Sequence, residues 1–297
     1  MSIHLYDKDY IRWEHDGHLY LLHVHSDPYP DNPRMTDENL CVMACWHQRY
    51  TLGDAHDRGD TPEAFWRSLV RQYVPRNAVL EEALHGGLGG IRIEPCSEGC
   101  DVYERCDLDC PFDTDDNEEV LAYQGVSSDH VPEYILDDLT VGHCMQLLQP
   151  YAAWLPLWLY DHGGITISCG AVTYPFTDRW DAGQLGWIVC SKTNVMSVCC
   201  CPETMWRSKA VEVMQEETNL YDQYLRGEVY YYNLLEAELG DEPEWGEADN
   251  CGGFYGSDIE TSGMVDAVGC GLADAVADGG YTMGTAKEVT TVTYKYA

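Results

Sequence analysis

The sequence predicts an α+β fold: a mainly antiparallel sheet with one long helix of the C-terminal half packed on a face of it. Three observations carry this. Short alternating runs bounded by turn residues recur along the chain and read as strands. One strongly periodic segment, 202–227, reads as a helix. Strands and helices also come in blocks, without the βαβ alternation of a parallel sheet. The whole chain, 1–297, is read as a single domain with a Cys- and Asp-rich excursion at about 86–130.

The elements follow in order. "IRWEHDGHLYLLHVHSD" (11–27) is a hairpin, because Asp16-Gly17 separates two alternating runs. "VMACWHQRYTLGD" (42–54) starts as a strand and ends in a Gly-Asp turn. "TPEAFWRSLVRQYV" (61–74) is a helix: Thr61 caps it, Pro62 suits its first turn, and Phe65, Leu69 and Tyr73 share a face. The excursion 86–130 is expected to hold little regular structure. "YAAWLPLWLY" (151–160), "GITISCG" (164–170) and "QLGWIVCS" (184–191) are buried strands. The last two are expected to be neighbours, since sequential strands usually pair.

The helix of 202–227 opens at Pro202 and closes at Gly227. Trp206, Ala210, Val213, Glu217, Leu220 and Tyr224 trace its stripe, which is expected to cover the sheet face bearing Trp187 and Val189. A strand at 228–238, a strand end or tight turn at 250–258, a weaker helix at 264–276 and a closing strand "EVTTVTYKYA" complete the reading.

Hydrophobic residues make up 45% of the chain, with nine Trp and 21 Tyr, which is ample for a packed core. The longest apolar run, 145–160, is too short for a bilayer span and is broken by Gln146, Gln149, Pro150 and Pro156, so no membrane association is expected. The N-terminus lacks the basic-then-apolar order of a signal peptide. The expected location is the cytoplasm of a host cell, or a virion.

Net charge is −34, from 51 acidic residues against 17 Lys and Arg, of which only five are Lys. Such a surface repels phosphate, so direct nucleic-acid backbone binding is not expected. Two readings remain. In multimolar salt, where screening acts over about 3 Å, an acidic surface stays solvated without repelling itself apart. In ordinary salt the same surface could imitate DNA before a basic groove. The acids are scattered over every segment, which favours salt adaptation, the halophilic reading.

Four motifs bear on chemistry. Cys96, Cys100, Cys106 and Cys110 form C-x3-C-x5-C-x3-C, and four thiolates within 15 residues can close a structural Zn shell. Incidental thiols in a variable loop are the competing reading. "CWHQRYTLGDAHD" offers His47, Asp54, His56 and Asp57 for metal or proton work, against a plain turn at Leu52-Gly53-Asp54 whose Asp caps the backbone. His18, His23 and His25 lie in a strand, the latter two on one face. Asp161-His162 precedes a Gly pair. No P-loop, G-x-S-x-G elbow or dinucleotide loop is present.

"TDRWDAGQLGWIVCSK" (177–192) concentrates Asp178, Trp180, Asp181 and Gln184 before a strand. A structural turn explains every residue. A ligand site would instead join them to Asp161 and His162.

Taken together, "CWHQRYTLGDAHD", "LPLWLYDHGGITIS", "PFTDRWDAGQLGWIVCSK", "YDQYLRGEVY" and "DNCGGFYG" resemble, in order, the blocks of an uncharacterised protein family encoded by phages, prophages and other mobile elements. The resemblance spans about 45–256. It departs at Gly252-Gly253, where relatives commonly carry Trp-Gly, in the acid load and in the Cys-rich excursion. The family has no established activity, so the resemblance implies a genomic context. The function expected is that of an accessory protein of a halophilic virus or mobile element, binding a host or viral macromolecule in host takeover or counter-defence. A hydrolase-type enzyme with an Asp/His site, and a virion structural component, are the alternatives. Structural Zn is the cofactor candidate.

Overall fold

The computed structural model describes residues 2–55, 61–76, 78–79, 91–97, 99–105, 119–126, 136–137, 139–170, 182–240 and 243–286. The chain opens with the expected hairpin, β1 (Asp9–His15) and β2 (His18–Ser26). Asp16 (φ 49°) and Gly17 (φ 86°) are both left-handed, as a two-residue hairpin turn demands. A single 3-10 turn (Pro33–Met35) leads into β3 (Cys41–Cys45). Helix α1 (Pro62–Tyr73) starts where predicted: the Thr61 hydroxyl accepts from the Ala64 N–H at 3.3 Å.

The excursion departs from expectation. It contains three strands, β4 (Ile91–Cys96), β5 (Gly99–Arg105) and β6 (Glu119–Val126), paired antiparallel in a small sheet of their own. Their Cys and Asp content masked the alternation of "IRIEP" and "DVYER". A helix not foreseen, α2 (Val141–Leu148), is capped by Thr140. Then come β7 (Ala152–Asp161), β8 (Ile165–Cys169), β9 (Ala182–Ser191) and a short α3 (Lys192–Val198).

The long helix, α4 (Trp206–Leu225), starts four residues after Pro202, with no side-chain cap. Its buried stripe is Trp206, Ala210, Val213, Met214, Thr218 and Tyr221, so Tyr221 faces inward and Leu220 is exposed. Strands β10 (Val229–Glu238) and β11 (Gly246–Tyr255) follow, and 250–258 supplies the end of β11. The helix expected at 264–276 is two helices, α5 (Met264–Val268) and α6 (Leu272–Asp278). Gly269, Cys270 and Gly271 all take positive φ and break it. The last described strand is β12 (Tyr281–Thr285). The closing strand expected at 288–297 lies outside the described residues.

The fold is therefore α+β, with every strand pair among the described residues antiparallel. A five-stranded sheet runs β11-β10-β2-β1-β12, and a four-stranded sheet runs β3-β9-β7-β8. In the first, Ile11, Trp13, Leu22, Tyr232 and Leu234 face inward and pack with Val265, Val268 and Leu272 of the two short helices. The Trp13 indole donates to the Cys270 carbonyl at 2.8 Å, which uses the broken helix as its acceptor.

In the four-stranded sheet β8 and β9 are not neighbours. Strand β7 lies between them and pairs with both. The two Gly at 163–164 close a hairpin from β7 into β8, which captures the neighbour position first. The helix also covers the other face from the one predicted. Trp187 and Val189 pack beneath α1 and α2, among Phe65, Trp66, Leu69 and Leu148. There Trp66 lies edge-on to Trp154 (5.4 Å) and Trp187 (5.6 Å). Helix α4 covers Leu157, Ile167, Ile188 and Cys190.

On the outer side of the five-stranded sheet, His23 and His25 touch (ring centroids 4.3 Å) and His25 stacks on Tyr231 (5.0 Å). Nε2 of His23 is buried with no hydrogen-bond partner among the described residues. Burial pushes both imidazoles below their ordinary value; His25 adds to the effect on His23, while Asp7 opposes it at both. A lowered folded pKa means the unfolded chain takes up protons first as pH falls through about 6.5. Stability is therefore present above that pH and is lost on acidification. Denaturant midpoints at pH 7.5 and 5.5 are expected to differ more for the wild type than for His23→Gln/His25→Gln; equal differences would remove the histidine pair from the account.

Candidate functional site

A register shift creates the cleft. Leu157 pairs with Gly186, but Trp158 pairs with Gln184, so Leu185 is an extra residue bulged out of β9. The Leu185 carbonyl accepts from the Trp46 N–H (2.9 Å) and ties the segment after β3 to the bulge. Between that segment and the ends of β7 and β9 lies a cleft of about 280 Å³, lined by His47, Arg49, Leu159, Asp161, Ala182, Gly183, Gln184 and Leu185. Leu159 and Leu185 are buried and form an apolar floor.

The polar wall is held by short-range contacts. The Arg49 guanidinium donates to Asp161 Oδ2 at 2.8 Å, and the Tyr50 hydroxyl donates to the same oxygen at 3.2 Å. Arg49 also lies 5.5 Å from the Tyr50 ring centre, and the His47 ring stacks on Tyr50 at 5.0 Å and 9°. His47 Nδ1 accepts the backbone N–H groups of Arg49 and Tyr50, both at 3.3 Å. The neutral ring therefore carries its proton on Nε2, which makes no hydrogen bond among the described residues. Gln184 is exposed, and its amide donates to the Gly186 carbonyl at 3.4 Å.

Three of the residues singled out in the sequence, His47, Asp161 and Gln184, thus meet in one cleft. Two others do not. Asp54 turns into the fold, where Oδ2 accepts from the Met43 N–H at 2.8 Å, the backbone-capping role of a turn. It also receives a two-pronged ion pair from Arg34, at 2.7 and 3.0 Å. His162 stacks on Tyr160 (6.0 Å), which places it on the opposite side of β7 from Asp161. Asp178, Trp180 and Asp181, with His56 and Asp57, lie outside the described residues. In the Cys quartet, Cys96 ends β4 and Cys100 lies in β5, across a turn in which Cys96 pairs with Gly99. Cys106 and Cys110 lie outside the described residues. Among the described residues no group of three or more His, Cys, Asp or Glu side chains is arranged to hold a metal ion.

Arg49 and Tyr50 were not singled out from the sequence. The available signal was their position between His47 and Asp54 in a chain with so few cations. Arg34 was missed as well. Its side chain is 1% exposed and binds Asp54, Glu217 (2.6 Å), the Asn39 side chain (2.9 Å) and the Cys41 carbonyl (2.8 Å). Glu217, the polar exception in the helical stripe, is there to meet this cation, and it also accepts from the Leu40 N–H at 2.8 Å.

Cys45, beside the cleft, has its thiol pushed up to about 12 by burial, with Asp54 adding to the effect. It is a packing residue and not a thiolate nucleophile at neutral pH.

No family model, curated protein or solved structure matches the chain. Among the described residues no helix is long and apolar enough to cross a membrane.

Proposed function

We propose that the chain is an accessory protein of a virus or mobile element from a high-salt setting, and that it acts by binding a host or viral macromolecule through the His47–Arg49–Asp161–Gln184 cleft. The observation that carries this is the arrangement of the cleft: the Asp161 carboxylate accepts from Arg49 and Tyr50, while His47, Arg49 and Gln184 line the cleft, the last two of them exposed. A carboxylate engaged by two donors holds a recognition surface in shape. It is poorly placed to take a proton from a substrate.

The enzyme reading keeps one observation in its favour, since His47 and Asp161 do share the cleft. In that reading His47 Nε2 is the proton-transfer atom and Arg49 stabilises developing negative charge.

The test of the binding reading is capture with tagged protein from cells carrying the element, against a control protein of equal net charge. A partner enriched over the control is expected, and its absence counts against the reading. The salt-adaptation component is tested separately. With 51 carboxylates screened in multimolar KCl and unscreened at low ionic strength, the melting temperature should rise steeply with KCl. Equal melting temperatures at both extremes would contradict it and favour imitation of DNA.

A further inference from the structure

The mouth of the cleft holds one of the chain's own cations in a setting that fits any guanidinium. Asp161 supplies a carboxylate, and Tyr50 supplies both a ring face and a hydroxyl that fixes that carboxylate. The His47–Tyr50 stack holds the phenol in place. A carboxylate beside an aromatic face is the pair of groups that recognises a planar, delocalised cation.

The two partners of this ion pair are unequally built in. The Asp161 side chain is 19% exposed and belongs to the cleft wall, whereas that of Arg49 is 71% exposed and is laid on from outside. An ion pair whose cation is largely exposed is screened by solvent and weak, so exchanging Arg49 for a second guanidinium costs little. Asp161 Oδ1 accepts no hydrogen bond from the described residues, which leaves an oxygen for a two-pronged contact. The field of a chain with net charge −34 concentrates basic ligands and disfavours anionic ones. The volume of about 280 Å³, floored by Leu159 and Leu185, suits one long side chain and its methylene stem.

We propose that the cleft binds an arginine side chain of a basic protein segment, which displaces Arg49 from Asp161 and Tyr50. This rests on the reading of the cleft as a recognition site and names the chemistry of its partner. Arg49 then acts as an internal competitor that occupies the site until the partner arrives.

The experiment titrates N-acetyl-arginine amide into the full chain at physiological salt, following the His47 and Tyr50 ring resonances by NMR. N-acetyl-lysine amide is the second probe, and Asp274→Asn, an exposed change of equal charge, is the control. Variants are compared once their melting curves show them folded. The arginine probe should bind more tightly than the lysine probe. Asp161→Asn should weaken it by roughly tenfold, the loss of one charge-assisted contact, and Asp274→Asn should leave it unchanged. Arg49→Ala should tighten it several-fold, because a competitor that masks the site is gone. Weaker binding in Arg49→Ala, or equal binding in Asp161→Asn and Asp274→Asn, would overturn the proposal. If His47→Ala/Gln184→Ala loses a captured macromolecule while the arginine probe ignores every cleft variant, the arginine assignment falls and the recognition reading stands. If neither responds to the cleft, both fall.

Discussion

Arg34→Ala is expected to destabilise the fold by about 3–5 kcal/mol, the cost of breaking a buried ion pair by removing one partner. The guanidinium is almost fully enclosed and joins four parts of the chain: the turn at Asp54, the side chain of Asn39, the start of β3 at Cys41, and Glu217 on α4. Its removal leaves the carboxylates of Asp54 and Glu217 without their cation in a largely buried place. Arg34→Lys should recover only part of the loss. One ammonium cannot reproduce a two-pronged contact to Asp54 together with the bonds to Glu217 and the Cys41 carbonyl. Denaturant titration of both variants checks this, and a loss below about 1 kcal/mol for Arg34→Ala would show that the network adds little to the stability of the fold.

The second large effect is at Gly186. A Cβ there would overlap the Ala44 carbonyl oxygen on the neighbouring strand, because Ala44 and Cys45 approach β9 closely where the bulge begins. Gly186→Val should cost about 3 kcal/mol through displaced backbone at the β3–β9 pairing. Gly183→Val makes the contrasting case. Gly183 does not take positive φ, and a Cβ there meets nothing within 4 Å. Within 177–192 the sterically closed position is thus Gly186, the second of its two glycines, and not Gly183. Circular dichroism melts of the two variants should separate clearly, and comparable melts would show that the β3–β9 approach is loose.

Much of this was legible because it is local. Asp16-Gly17 announces a hairpin turn, and Thr61-Pro62 announces a helix start, since each rests on the conformation of two adjacent residues. The partners of β9 were not legible. Neighbour choice in the sheet depends on β7 turning back at Gly163-Gly164 before β9 arrives, and no property of β9 itself records that. The face reversal has the same origin: "LGWIVCS" is apolar on both sides, with Trp187 and Val189 serving α1 and Ile188 and Cys190 serving α4. Alternation cannot assign a face when both are buried.

The candidate site divided along similar lines. His47, Asp161 and Gln184 were visible as polar residues in unusual surroundings. Asp54 looked like one of them, but its turn, with Gly53 at φ 74° and a Cβ-sized space closed by the Met43 carbonyl, docks it on β3. Arg49 and Tyr50 gained their significance only from Asp161, which lies more than 100 residues away along the chain. A contact across that separation leaves no trace in a local pattern.

The central claim is that the cleft, and not the acidity of the surface, is what the protein works with. The direct measurement is retention of the captured macromolecule by His47→Ala/Gln184→Ala, compared with Asp274→Asn, under identical salt. Neither His47 nor Gln184 enters the formal net charge of −34, so that value is unchanged in the double variant. The account predicts that the double variant, folded and of wild-type charge, loses the partner while Asp274→Asn retains it. Full retention by the double variant would contradict the account and leave the acidic surface as the agent of binding.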